Sequence, residues 1–320
     1  MLPTAADVVA AADRLFGVVK RTPLLHSPAL SLIAGTDVYL KCENVQRTGS
    51  FKMRGAYNAL ATLPAEARAR GIVASSAGNH GLGISLSSQI LGVPAMIFVP
   101  ADAPAVKRDG IVALGARIDD TQLQYDDAHD AAVAYADANG MTFVSPCAGA
   151  PLLAGQGTVA LEILEELPDV RTIVVPVGGG GLVGGTGVVA REFAPEVRIV
   201  GAQTNVTNAM AASLAAGHRV EIDTPPTLAD GLAGQIDDEG LAIGRFAIDE
   251  MCVVSETQLG DAIAWLWREH ALRVEGAGAV GLAVVLSPPA AHAQLRGPVA
   301  VIISGGNIDE SRWRSVVGQQ

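Results

Sequence analysis

The chain has 320 residues, 49% apolar and 17% charged, enough to bury a large core and to form two domains. A net charge of −11 with no Lys/Arg cluster excludes nucleic acid and anionic membrane as partners and leaves small-molecule ligands. Three cysteines without paired spacing (Cys42, Cys147, Cys252) argue against a disulfide framework and a zinc site, and for a cytoplasmic location.

Met1 to Lys20 reads as an amphipathic helix without a signal-peptide core. Val38 to Cys42 is a strand, and a helix runs over Ala56 to Leu63. Gly71 to Ser75 is a buried strand followed by a glycine turn and a helix from Gly83 to Leu91. Ala95 to Val99 is the next strand, with helices over Ala105 to Leu114 and Ala128 to Asn139, then a strand at Met141 to Val144. A helix over Gly157 to Glu166 leads to the β-branched strand Thr172 to Val177, a glycine turn and the helix Val183 to Phe193. Strands at Arg198 to Ala202, Met251 to Val254 and Val299 to Ile303 complete the set, with Trp265 and Trp267 on a helix before Glu275. The uncharged run Thr172 to Ala190 contains seven glycines and Pro176, so it reads as strand, turn and helix and not as a membrane span.

Strands separated by helices imply parallel sheets covered on both faces, an α/β protein. Residues 69–146 hold three strand–helix units and read as a small α/β domain set into a larger one formed by 1–68 and 147–320.

Four segments carry chemistry. Thr48 to Ala56 places Lys52 between Phe51 and a helical run; a lysine held on a rigid element and shielded from water can act as a covalent catalyst on a carbonyl. Ser75 to Gly81 sets Asn79 between two glycines, where its amide can reach a ligand or equally cap the following helix. Gly178, Gly179, Gly180 and Gly181, followed by Leu182, expose backbone amides beside a helix N-terminus, an anion site that most often takes phosphate. Gly179, Gly181 and Gly184 also have dinucleotide spacing, but Gln203 stands where a ribose-binding acid is required, so a nicotinamide loop fails this test. Ser304, in the turn after the last strand, offers one neutral hydroxyl. His26, His129, His218, His270 and His292 have no ligand spacing and read as surface or packing residues.

A lysine, an amide, a phosphate cradle and one neutral hydrogen-bonding group are together what pyridoxal 5′-phosphate requires. In the order Ser50–Ala56, Ser76–His80, Gly155–Thr158, Gly178–Leu182, Val274–Ala279 and Ser304–Asn307, the motifs resemble those of the fold-type-II pyridoxal-phosphate enzymes, in particular the serine/threonine dehydratase and serine racemase family. The resemblance spans about Arg21 to Asn307 and implies a tryptophan-synthase-β-like fold of two α/β domains with the cofactor between them. It implies that Lys52 carries the cofactor as a Schiff base and then removes the substrate Cα proton, with Phe51 packed beside the ring. Asn79 would bind the ring hydroxyl, Gly178 to Leu182 the phosphate, and Ser304 the pyridine nitrogen. Backbone amides of Ser76, Ala77, Gly78, Asn79 and His80 would hold the substrate carboxylate, and Glu275 stands in the family's acidic position near the cofactor.

A neutral serine at the pyridine nitrogen disfavours a fully delocalised carbanion, so the expected reaction is β-elimination from L-threonine or L-serine to a 2-oxo acid and ammonia. Other β-hydroxy amino acids such as hydroxyaspartate are the alternative substrates. Racemases of this kind carry a serine where this chain has Ala77, which has no proton to give. Leu82 and Cys147 to Ala150 depart from the family pattern and reshape the substrate pocket. Gln203 and Ala209 make a poor cation site in place of acidic ligands, so no metal is expected. No C-terminal regulatory domain is expected after Asn307, and the family's habit implies a homo-oligomer, a dimer or tetramer.

Overall fold

Stretches such as Thr172–Pro176 and Val299–Ile302 are buried at every position, as strands covered on both faces must be. They belong to a computed structural model of the chain that describes residues 1–223, 225–287 and 295–318. In chain order the strands are β1 (Leu24–His26), β2 (Val38–Lys41), β3 (Ile72–Ser75), β4 (Ala95–Pro100) and β5 (Arg117–Gln122). β6 (Thr142–Phe143), β7 (Thr172–Pro176), β8 (Arg198–Thr204), β9 (Glu250–Val254) and β10 (Val299–Ile302) follow. They form a six-stranded sheet, β1-β2-β10-β7-β8-β9, and a four-stranded sheet, β5-β4-β3-β6. Every pairing is parallel except β1 with β2, so the α/β class expected from the alternating pattern holds.

β10 inserts between β2 and β7, with Val299 opposite Val38 on one side and Thr172 on the other. This crossover brings the turn after the last strand beside the segment that precedes Lys52. The helix Gly276–Leu286 carries no charge and is buried from Gly276 to Val285, packed on the larger sheet with the helix Glu256–His270. The other face of that sheet and the smaller sheet share a second apolar cluster.

Several elements differ from the sequence expectation at their ends. The helices expected to start at Ala56, Gly83, Gly157 and Val183 start at Lys52, Asn79, Ala150 and Gly181. Glycines near these starts hide them (Gly55, Gly81, Gly155 and Gly157, and Gly184), because glycine has low helix propensity yet permits tight packing. A Cβ on Gly155 would lie 2.5 Å from the Arg54 carbonyl oxygen and 2.7 Å from Gly55 Cα, so the Ala150–Glu166 and Lys52–Ala61 helices touch backbone to backbone. β1 and β5 were not anticipated. β5 is a polar edge strand with no buried residue, and β1 is three residues long, so neither carries an apolar alternation.

Candidate active site

Lys52 opens the helix Lys52–Ala61, and the chain leading to it is tied to the turn after β10. Ser50 bridges Gly305, Phe51 N donates to Ser304 O at 3.1 Å, and Gly306 N donates to Gly49 O at 2.9 Å. Two residues on, the fully buried Arg54 donates to both oxygens of Glu43 at 2.7 and 2.9 Å and to both oxygens of Glu162 at 2.6 and 3.0 Å. Buried Lys41 adds a 2.7 Å contact to Glu162. Arg54 overcomes the burial penalty at Glu43 and holds its carboxyl below the usual range. This charge network anchors the helix that Lys52 opens.

The Lys52 amine donates to the Pro146 carbonyl at 2.7 Å and lies 5.3 Å from the centre of the Phe51 ring. Enclosure of the amine pulls its pKa below the lysine range, against the opposing influence of Cys147 and Glu275. The neutral form, the nucleophile and base, is thereby brought closer to working pH.

β7 ends at Pro176, and Gly178 to Gly181 turn into the helix Gly181–Phe193. Gly180 adopts φ +104°, a conformation that glycine alone takes readily, and it aligns the first helical amides, which have no intrahelical acceptor. The Leu182 side chain is buried in the core, so that residue can offer the loop only its backbone. A Cβ on Gly179 would lie 2.6 Å from Cys147 Sγ, so the turn has no room for a side chain there. Gln203, which stands where a dinucleotide fold needs an acid, donates instead to Val177 O at 3.1 Å, just before the glycines.

β3 ends at Ser75, and the helix Asn79–Leu91 follows with Gly78 as its cap residue. Gly78, not Asn79, is the cap, and the Asn79 side chain bonds to residues of other elements. Its Nδ2 donates to Glu275 Oε1 at 2.7 Å, and its Oδ1 accepts from Asn307 Nδ2 at 2.7 Å. Asn307 also donates to Thr48 O at 2.7 Å. Burial and the neighbouring Asp230 push the Glu275 carboxyl up to about 7, against the Asn79 hydrogen bond. Gly305 packs against that carboxyl so closely that a Cβ would come within 2.2 Å of Oε1.

Ser76 is engaged within its own loop, its hydroxyl accepting from Gly78 N at 3.1 Å, and Ala77 packs on the main apolar cluster. The His80 ring is turned inward. Its Nε2 donates to Val144 O at 3.0 Å, and its buried Nδ1 has no partner. Burial and the Lys52 charge pull His80 down to about 3, so it adds no charge at neutral pH. Ser304 is buried and donates to Ala277 O at 3.4 Å.

Lys52 and Phe51 are thus tied to the Ser304 turn, Asn79 to Glu275, and Pro146 and Cys147 join the lysine to the glycine turn. Sequence reasoning does not assign Pro146 to the site; it places Cys147 in a segment that reshapes the substrate pocket and Asn307 in the Ser304–Asn307 motif, without a role for either. Their position just past strand ends, where α/β sheets bind ligands, is the signal that finds them. His26 meets Asp37 and His270 meets Ser27, as packing residues do, whereas His292 lies outside the described residues. Among the described residues, no group of three or more His, Cys, Asp or Glu side chains is placed to hold a metal ion, and no helix is long and apolar enough to cross a membrane.

An α/β scaffold that presents a desolvated lysine opposite a glycine anion cradle defines a site for covalent catalysis with a phosphorylated carbonyl cofactor. The chain belongs to the pyridoxal-phosphate dependent enzyme family, whose model matches residues 15–305. It is 44% identical over 308 residues to an L-threonine ammonia-lyase of Thermotoga maritima, covering 96% of this chain and 76% of that protein. It is 36% identical to an L-threo-3-hydroxyaspartate ammonia-lyase of a Pseudomonas species, covering 97% of each. The structure of maize serine racemase superposes with a TM-score of 0.94 at 31% identity, covering 100% of this chain and 98% of that one. The residues present fit pyridoxal phosphate: the glycine turn admits no side chain and leaves its backbone bare, the lysine is desolvated, and the surrounding partners are neutral or weakly ionised.

Proposed function

We propose that this protein is an ammonia-lyase that removes the β-hydroxyl and the amino group of L-threonine or L-serine, releasing a 2-oxo acid and ammonia. The observation that carries the reading is the extensive identity to the Thermotoga maritima threonine ammonia-lyase. When bound, pyridoxal phosphate supplies an aldehyde for the substrate amine and a ring that withdraws electrons from Cα. The chain's own residues then divide the work. Lys52, displaced from its resting role by the substrate amine, takes the Cα proton on Nζ, for which a depressed pKa suits it. Gly178 to Gly181 and the amide of Leu182 would hold the phosphate, and Phe51, Asn79 and Ser304 would orient the ring. Backbone amides of Ser76 to His80 would bind the substrate carboxylate. Neutral His80 and the neutral hydroxyl of Ser304 add no charge that would favour transamination over loss of the β-hydroxyl.

The free cysteines fit a cytoplasmic protein, the Schiff base would form at Lys52, and a homo-oligomer fits the family. We further infer that residues 69–146, which contain the whole four-stranded sheet, act as a small domain against a large one of 1–68 and 147–320. The test is steady-state 2-oxo acid release from L-threonine, L-serine and L-threo-3-hydroxyaspartate. Preference for threonine or serine is expected, and turnover restricted to hydroxyaspartate would overturn the substrate assignment. Because Ala77 holds no transferable proton, D-serine should form far more slowly than pyruvate. Comparable rates would make the protein a racemase.

A further inference from the structure

The relay Glu275–Asn79–Asn307–Thr48 joins the central buried helix, the small-sheet loop and the lysine segment through three 2.7 Å hydrogen bonds. Its orientation depends on what Glu275 can offer. An ionised carboxylate only accepts, so it requires Asn79 to present Nδ2. Asn307, fixed by its bond to the Thr48 carbonyl, only donates to Asn79 and requires Oδ1. Both ends of the relay then demand the same orientation of the Asn79 amide. A protonated Glu275 can still accept from Nδ2 through its carbonyl oxygen, but that bond is no longer charge-assisted. The hold that fixes the amide in one orientation is thereby weakened.

Glu275 also has a route to water. A polar cleft of about 10 Å³, the size of one water molecule, is lined by Glu275 together with Lys107, Asp230, Asp309, Asn307 and Arg312. The charged groups facing Glu275 come from separate elements. Asp230 from the turn Asp230–Leu232 opposes its ionisation, and Lys107 from the small-domain helix Ala105–Ala113 and Lys52 favour it. Asp230 is itself shared between Lys107 at 3.8 Å and Arg312 at 3.4 Å, so the cleft balances charge across the two sheets.

We propose that Glu275 is a positioning residue that regulates this site: its ionisation locks the Asn79 amide in the orientation that donates to the cofactor ring oxygen, and its protonation weakens that lock. The inference rests on the cofactor role proposed for Asn79. It makes affinity for the cofactor ring, independent of any covalent bond to Lys52, rise as pH passes through neutrality.

The test uses pyridoxine 5′-phosphate, an alcohol that cannot condense with Lys52, and measures its dissociation constant for the wild type and Glu275→Gln from about pH 6 to about pH 8.5. Glutamine is the neutral isostere, and the ligand's own titration is common to both proteins, so the ratio of their constants isolates Glu275. The two proteins should bind equally at low pH. At high pH the wild type should bind about five- to tenfold more tightly, the difference between a charge-assisted and a neutral hydrogen bond. Asp230→Asn removes the charge that opposes ionisation and should shift the midpoint of the wild-type step to lower pH. A purely structural Glu275 would produce no such shift. A ratio that does not change with pH, or a midpoint unmoved in Asp230→Asn, overturns the inference while leaving the cofactor reading intact. Failure of the wild type to bind the analogue at any pH overturns both.

Discussion

Replacing Glu275 with glutamine should stabilise the cofactor-free protein at alkaline pH and leave it unchanged in acid. Burial and Asp230 raise this carboxyl from its ordinary 4.5 to about 7 in the folded chain. Between those values the folded state binds the proton more tightly than the unfolded state, so stability falls as pH rises across that window. Below about 4.5 the group imposes no penalty, and above about 7 the penalty is complete. The difference between 4.5 and about 7, at about 1.4 kcal/mol for each pH unit, amounts to roughly 3 kcal/mol. Glutamine keeps the shape and the acceptor for Asn79 but never ionises, so it avoids this cost. Denaturant unfolding of both proteins near pH 4 and near pH 8.5 reads the effect directly: the stability difference should be near zero at the first and approach ~3 kcal/mol at the second. Parallel pH curves for the two proteins would refute the argument, because they would mean that Glu275 has the same proton affinity folded and unfolded.

Gly179→Ala places a methyl 2.6 Å from Cys147 Sγ, so it should cost ~1–3 kcal/mol of stability and weaken pyridoxal phosphate binding. Adding Cys147→Gly removes both overlapping atoms and should restore part of each loss in a double-mutant cycle, whereas strict additivity would contradict the packing argument. Arg54→Met strands Glu43 and Glu162 without their guanidinium and should cost ~3–5 kcal/mol in denaturant unfolding. A loss below ~1 kcal/mol would show that the network does not anchor the lysine helix.

The parts of the site that were legible in the sequence are those whose chemistry is local. Lys52 beside Phe51, and four glycines between a buried strand and a helix, each carry their physical reason within a few residues. The bond from Asn79 to Glu275 spans 196 positions of sequence and depends on β10 entering between β2 and β7, which no local pattern announces. The same holds for Arg54, whose partners Glu43 and Glu162 come from a turn and a distant helix and look in sequence like ordinary charged residues. In the fold, buried parallel strands were readable because they are uniformly apolar. β5 was not, because an edge strand reading Arg-Ile-Asp-Asp-Thr-Gln has the composition of a surface loop. The helix starts at Lys52 and Asn79 are masked in sequence because glycines placed in their first turns for close contact also suppress the helical signal.

The most direct test is borohydride reduction of the protein loaded with pyridoxal phosphate, followed by proteolysis and peptide mass spectrometry. A phosphopyridoxyl group should be found on the Lys52 side chain and be absent after Lys52→Ala. Its appearance on another lysine, or on none while the protein still releases 2-oxo acid from threonine, would contradict the assignment of the site.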